Sequence, residues 1–553
     1  MSFTYDIDGT LYARMVRSGA VNLRNNAQTV NELNVFPIPD GDTGDNMART
    51  AEGGVAAVKT ETAVGDVAAA HARGMLLSAR GNSGVILSQF FEGVHRGFDG
   101  VKRAGVTQFK QAFDCGVKQA YASVVQPTEG TILTVMREAS AKASAVGDDE
   151  SLENYFGMFI EEMYASLERT PELLPVLKES GVIDSGGAGF VYIIEGMNSA
   201  LCGKENTGFA HTAAAETAAA VDTDKFDEHS EMKFGYCTEL IVQLMSAKTD
   251  VDKFDVKTLI AYLESIGGDS IVAFKTGTRI KLHVHTFEPD RVIAYARTVG
   301  ELVTVKIENM SIQHSESVVR NRFERQTPKK SRKKYACVAV ADGAGLKEQF
   351  TSLGADYVVD GKQTMNPSAQ DFINAFEAVN AEVIFVLPNN ANVVLAAKQA
   401  AELFEGSRVL VADTKTLAEG YAALSMLDYS SDSPEQILGA FDAAAAEVTT
   451  GLLSYSVRDC NLGGRRIKKG DWIGLADKEL VSCDKDIANA ACALLTGIDK
   501  TDKSVIIAMR GKLCTDDAVA QKIAEHVQSS FPELEYYEFD GGQDVYAYIF
   551  VVE

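Results

Sequence analysis

Three aspartates, Asp40, Asp42 and Asp45, fall within six residues of one another in NELNVFPIPDGDTGDNMART at 31–50. Gly41 and Gly44 stand between them, Pro37 and Pro39 stiffen the approach, and a helical pattern resumes from Met47. Carboxylate oxygens are hard ligands suited to magnesium. The glycines permit the left-handed turns that aim short side chains at one point. Packing three like charges this closely is costly unless a cation offsets them. An acidic turn capping a helix would carry the same Asp and Gly residues, so the spacing alone leaves both readings open.

Two glycine-rich stretches add to the first. In ARGNSGVILSQ at 79–89, Gly81, Asn82, Ser83 and Gly84 lead directly into an apolar helical run. A small-residue turn at a helix start offers free backbone N–H groups and a positive dipole end to phosphate, although an ordinary cap would look alike. DSGGAGF at 184–190 opens a second helical stretch, and EGTILTVMREA at 129–139 a third. Neither G-x-x-x-x-G-K-[ST] nor a protein-kinase motif set occurs in the chain. Nucleotide chemistry would therefore use another scaffold. His71 and His95 lie inside helical runs and read as structural residues.

The elements that must hold these residues fall into several domains. At 553 residues the chain exceeds one hydrophobic core. Its 77 acidic against 53 basic side chains, a formal charge of -24, argue against a general nucleic-acid or anionic-membrane binder. Eight scattered cysteines with no C-x-x-C pair predict no disulfide framework. The opening MSFTYDIDGTLYARM lacks the apolar core of a secretory signal, and no stretch is long and apolar enough to span a bilayer. A cytoplasmic protein without membrane insertion is expected.

Along the chain, residues 1–202 carry apolar residues three and four apart between glycine-rich turns, which predicts an all-helical domain. Residues 203–230 are rich in Ala, Thr and acids and read as a linker. Over 231–325, GYCTELIVQLM and SIVAFKTGTRIKLHVHTF alternate like strands around the helical VKTLIAYLESIG, predicting an α+β domain. QTPKKSRKK, within a basic linker at 326–334, precedes an α/β domain over 335–553. Its strand, helix, strand alternation (YACVAVA, AGLKEQFTSLGA, DYVVD, AEVIFVLP, RVLVAD) predicts a parallel sheet flanked by helices.

Taken in order, LNVFPIPDGDTGDNM, RGNSGVILSQ, EGTILTVMREA and DSGGAGF resemble the ATP-binding, L-type domain of the dihydroxyacetone kinase superfamily. The three-part layout is most similar to the ATP-binding subunit of bacterial fatty acid kinase, and KLHVHTFEPD, IENMSIQHSE and KKGDWIGL extend the resemblance over the whole chain. It implies an N-terminal barrel of eight helices with ATP and magnesium at one end. Magnesium then falls on Asp40 and Asp42, with Asp45 as the third carboxylate of the loop. Asn34 stands nearest a further metal-binding Asp of the dihydroxyacetone kinases, one residue out of step. Thr43, Asn46, Gly81, Asn82, Ser83, Gly84 and Thr131 are implied to line the phosphates, and Asp184 and Gly186 to lie near the nucleoside.

The implied reaction moves the γ-phosphoryl group of ATP to a fatty acid carboxylate. That acceptor suits the residues independently, because a carboxylate is ionised at neutral pH and needs no general base. The resemblance also implies a separate, DegV-like fatty-acid-binding partner docking on the C-terminal domain, and a homodimer. In KLHVHTF, His283 and His285 are two apart on a predicted strand and share a face, so they could address one ion with Cys237 of GYCTELIV. Partly exposed histidines and a buried cysteine would satisfy the same pattern; the family implies zinc on all three. His314 in IQHSE is a weaker candidate for that ion and reads as a hydrogen-bonded surface or interface residue. Asp342, Gly343, Asn389 and Asn390 stand at predicted strand ends, where open sheets bind ligands and where turn formers are needed in any case. A kinase for dihydroxyacetone or a related keto-alcohol is the alternative enzyme, and a nucleotide-sensing scaffold without turnover the alternative outside enzymes.

Overall fold

Helix α1 (Gly9–Glu32) sets the pattern of the N-terminal third, with Tyr12, Met15, Val16, Leu23, Ala27 and Val30 on one buried stripe. Asp8 starts it by accepting the backbone N–H of Leu11 at 3.0 Å. The computed structural model describes residues 3–34, 42–124, 126–204, 236–251, 253–276, 278–309, 332–361, 366–429, 431, 433–462, 464–477 and 479–553. They form two compact units, one of Met1–Gly208 with Ser331–Glu553 and one of Phe209–Lys330.

In the first unit α1 is followed by α2 (Thr43–Ala57), α3 (Val64–Ser78), α4 (Gly81–Gly97) and α5 (Val106–Ala122). Then come α6 (Ile132–Ala143), α7 (Leu152–Leu173), the short α8 (Pro175–Ser180) and α9 (Ser185–Leu201). Phe90, Phe113, Phe159 and Phe190 lock the helices together edge-on, with Phe90–Phe190 and Phe113–Phe159 centroids 5.1 Å apart. Each such ring, fully buried, contributes about 1.5–3 kcal/mol. The region is not purely helical: β1 (Asp6–Asp8) and β2 (Arg103–Gly105) form an antiparallel pair that the helical pattern around them hides.

Residues 332–553 complete the same unit. The first half, numbered after the second unit's elements between 236 and 309, runs β7 (Lys333–Ala341), α12 (Ala344–Ser352), β8 (Tyr357–Asp360), α13 (Ala369–Val379), β9 (Ala381–Leu387), α14 (Val394–Leu403) and β10 (Arg408–Val411). Its four strands are parallel, in the order β10-β9-β7-β8, as the alternating pattern predicts. Lys333 and Lys334, read from sequence as linker, already belong to β7.

Past α15 (Leu417–Ser425) and α16 (Pro434–Glu447) strands and helices continue, but the sheet is mostly antiparallel. A six-stranded sheet combines β11 (Thr449–Tyr455), β14 (Trp472–Ala476), β15 (Glu479–Asp484), β16 (Val505–Arg510), β17 (Glu535–Asp540) and β18 (Tyr548–Val552). Only β16–β17 is parallel there. Short connections such as that between β14 and β15 permit antiparallel hairpins, which sequence alternation alone does not distinguish. A small hairpin, β12 (Cys460–Leu462) with β13 (Arg465–Ile467), and helices α17 (Ile487–Gly497) and α18 (Asp517–Ser530) complete it.

The second unit is an antiparallel sheet, β4 (Asp269–Thr276), β5 (Arg279–Thr286), β3 (Tyr236–Leu244), β6 (Gly300–Asn309), with α10 (Val256–Ser265) and α11 (Pro289–Val299). Leu240, Val242, Ile280, Leu282 and Val284 bury one face against Leu259, Leu263 and Val292. This is the α+β composition expected. Among the described residues no helix is long and apolar enough to cross a membrane.

One close approach positions everything that follows. A Cβ on Gly44, in the first turn of α2, would lie 2.1 Å from the Ala27 carbonyl oxygen of α1. The Gly44 N–H donates to Asn31 Oδ1 at 2.7 Å. Gly44→Ala should therefore push α2 off α1 and cost about 1–3 kcal/mol, read as a lowered urea midpoint. An unchanged midpoint would show that the two helices do not approach this closely.

Candidate active site

Asp42 is the N-cap of α2 and is 8% exposed. Asn46, one turn on, donates from Nδ2 to Asp42 Oδ1 at 2.8 Å. Asn366, from the loop between β8 and α13, donates from Nδ2 to Asp42 Oδ2 at 2.5 Å. Neither of these amides carries charge, so they orient the carboxylate without neutralising it. A buried, oriented carboxylate fits a hard divalent cation. Asp40 lies outside the described residues.

Asp45 is placed differently from Asp42. Its Oδ1 takes Arg24 Nη1 at 3.0 Å and its Oδ2 takes Asn31 Nδ2 at 2.8 Å. Arg24 reaches on to both oxygens of Glu52, each at 2.6 Å. This network ties the first turn of α2 to α1, so Asp45 holds the loop's exit in place. Asn34 follows α1, and its carbonyl oxygen accepts from the guanidinium of Arg458. Thr43 begins α2 itself.

Gly81, Asn82, Ser83 and Gly84 are the first turn of α4. Gly81 has φ +59°, and a Cβ on it would stand 2.9 Å from Asn46 Nδ2. A Cβ on Gly84 would stand 2.5 Å from Thr50 Oγ1 of α2. The starts of α2 and α4 therefore meet. Thr131 caps α6 and Asp184 caps α9. A Cβ on Gly186 would lie 3.3 Å from Ile132, and one on Gly189 2.7 Å from the Met47 sulfur of α2. Four helix N-termini thus share one end of the helical assembly, a positive-dipole setting for phosphate.

Asp184 accepts the Gly187 N–H at 2.7 Å. Loss of hydration pushes its carboxyl up to about 6, against the pull of the Gly187 and Ile132 N–H groups. Burial drives His71 down to about 3, edge-on to Phe91 at 4.9 Å. It is a neutral core residue, as its helical setting suggests.

The residues that sequence alone did not single out come from the far end of the chain. Asn82 Nδ2 donates to Asn392 Oδ1 at 3.3 Å. Arg80 donates to the Asn366 carbonyl at 2.9 Å and lies 3.6 Å from Asp371. Gln399 of α14 accepts from Gln89 at 3.0 Å and donates to the Leu76 carbonyl at 2.5 Å. Ala79 and Val85 join the apolar core of β7, β8 and β9. No local motif marks these partners.

Asp342 and Gly343 follow β7 and Asn389 follows β9, as expected of strand ends. Asn389 has φ +56° and donates to the Val340 carbonyl at 2.9 Å. Its Oδ1 is buried without a hydrogen-bond partner among the described residues. Asn390 Oδ1 accepts the Asn392 N–H at 2.8 Å, shaping the turn that reaches Asn82. Asp342 accepts the Asp544 N–H at 3.3 Å, and burial raises its carboxyl above the usual range.

In the second unit the β3–β5 register sets Cys237 opposite His285 and Glu239 opposite His283. The side chains of Cys237, His283 and His285, and the whole of His314, lie outside the described residues. Among the described residues no group of three His, Cys, Asp or Glu could hold a metal.

Three family models match the chain. The DAK2 domain matches 37–199, the middle domain of the FakA-like fatty acid kinase family matches 233–317, and the C-terminal domain of the same family matches 336–553. The chain is 36% identical over 560 residues to "Protein YloV" of Bacillus subtilis (strain 168), covering 99% of each. The chain belongs to the FakA-like fatty acid kinase family. An uncharacterized protein of Staphylococcus epidermidis is 35% identical over 563 residues, again over 99% of each chain. A crystal structure of the dihydroxyacetone kinase from C. freundii in complex with AMP-PNP and Mg2+ is similar at 18% identity, with TM-score 0.28 over 34% of each chain. Family and DAK2 domain together point to phosphotransfer by the N-terminal helices.

Asp184 offers a test of the site's electrostatics. Its folded-state pKa is raised from 3.8 to about 6, so the folded chain binds more protons than the unfolded one in between. Stability from this group falls as pH rises through that window. Asp184→Asn keeps a capping oxygen and removes the charge. Its stability relative to wild type should increase from pH 4.5 to pH 8, by at most about 3 kcal/mol. A difference independent of pH would contradict the raised value.

Proposed function

We propose that this family member transfers the γ-phosphoryl group of ATP to the carboxylate of a fatty acid, which a separate fatty-acid-binding protein presents, and so forms an acyl phosphate. The observation carrying this reading is the buried Asp42 carboxylate, aimed by Asn46 and Asn366 at the junction of the α2 and α4 N-termini. Asp42 and Asp40 would hold magnesium there. Bound, that ion neutralises charge on the phosphate oxygens and aligns them for in-line displacement.

The helix N-termini contribute backbone N–H donors to the phosphates. One acceptor carboxylate oxygen forms a bond to the γ-phosphorus while the bond to the β,γ-bridging oxygen breaks, and ADP leaves with that electron pair. No proton is removed from the acceptor. The histidine inventory supports this choice over an alcohol acceptor: His71 and His95 are the N-terminal pair, and His71 is sealed in the core.

ATP consumption with an oleate-loaded partner, with free oleate and with dihydroxyacetone discriminates the substrates. Turnover is expected only with the loaded partner, yielding a hydroxamate when hydroxylamine is added. Turnover with dihydroxyacetone alone would overturn the reading. Asp42→Asn should lower turnover by at least about 100-fold.

A zinc ion on Cys237, His283 and His285 is a second part of the proposal. The register pairing of Cys237 with His285 supports it, and thiolate and imidazole donors suit zinc. Purified protein should carry about one zinc per chain by elemental analysis, lost in Cys237→Ser. Metal content unchanged by that substitution would refute the assignment.

A further inference from the structure

The carboxyl ends of the parallel sheet carry polar residues, of which Asn366 and Asn392 reach the helical assembly. In the spatial order β8, β7, β9 they are Asn366, Asp342 and Asn389 to Asn392. The chain leaves β7 for β8 on one side and later places β9 on the other, the switch point at which open α/β sheets bind ligands. Here that end meets the helical assembly: Asn392 touches Asn82 of the α4 turn, and Asn366 touches Asp42.

The contact is specific. Asn366 and Asn46 supply one amide donor to each oxygen of the same buried carboxylate. A Cβ on Gly81 would lie 2.9 Å from Asn46 Nδ2 and 3.8 Å from Asn366 Oδ1, so the α4 turn closes against both amides. Asn366 is 3% exposed, and Arg80 fixes its backbone by donating to its carbonyl. On the other flank of the loop, Arg458 donates to the carbonyls of Glu32 and Asn34. Residues from beyond position 360 therefore hold the chain just before and just after the segment that carries Asp40.

We propose that Asn366 is a positioning residue of the phosphoryl-transfer site, setting the Asp42 carboxylate in the orientation that ligates the divalent cation, so that the site is built by the N-terminal helices and the C-terminal sheet together. The inference rests on the nucleotide reading given above. A neutral amide donor fixes a carboxylate's direction while leaving its full charge to act on a cation, and outer hydrogen bonds of this kind tune metal affinity.

The test is the magnesium dependence of binding of a fluorescent N-methylanthraniloyl ATP to the full-length chain. Asn366→Ala and the near-isosteric Asn366→Asp, which removes the donor, should each raise the magnesium half-saturation by about 10-fold or more. Gln399→Ala breaks the same interface away from Asp42 and should stay within about twofold of wild type on the same scale. Half-saturation unchanged in both Asn366 variants overturns the inference while leaving the nucleotide reading standing. An equal shift in Gln399→Ala also overturns it, since loosening of the interface would then suffice. No magnesium-dependent binding by wild type would overturn the nucleotide reading and this inference with it.

Discussion

The architecture turns on how the buried carboxyl group of Asp42 is held and aimed. Asp42 is nearly out of water, and polar oxygens buried there need hydrogen-bond partners. Two asparagines provide them, Asn46 from one helical turn on and Asn366 from the loop between β8 and α13. The geometry of α2, the glycine turn of α4 and the seating of the C-terminal sheet all serve that arrangement.

Rigid supports surround it. Arg24 clamps Asp45 and Glu52 so that α2 starts at a fixed height along α1. Gly44 lets the two backbones close to within a distance that any side chain would prevent. The aromatic core behind them leaves the helices little freedom to slide. Such preorganisation matters for loose phosphoryl-transfer transition states, where alignment and charge supply most of the acceleration.

Much of the site was legible because it is local. Asp42 and Asn46 are one helical turn apart, and the Gly81–Gly84 and Asp184–Gly187 turns announce helix starts by composition alone. The partners of Asp45 were not legible, because Arg24 and Asn31 stand 21 and 14 residues away and no spacing rule links them. Asn366 could not be found at all: it is an ordinary turn residue 324 positions from its partner. The parallel half of the C-terminal region followed from strand and helix alternation. The six-stranded sheet after it did not, since apolar strands such as β18 look the same in either orientation.

The order in which the chain is made gives the interface another meaning. Ala79 and Val85 emerge early from the ribosome, yet the strands that cover them begin at Lys333. At roughly 5–20 residues per second, the 324 residues between Asp42 and Asn366 take on the order of tens of seconds to synthesise. During that interval the nascent helices carry an uncovered apolar patch and an acid still waiting for its second amide. In this chain Ala79 and Val85 stay uncovered until translation is past its midpoint.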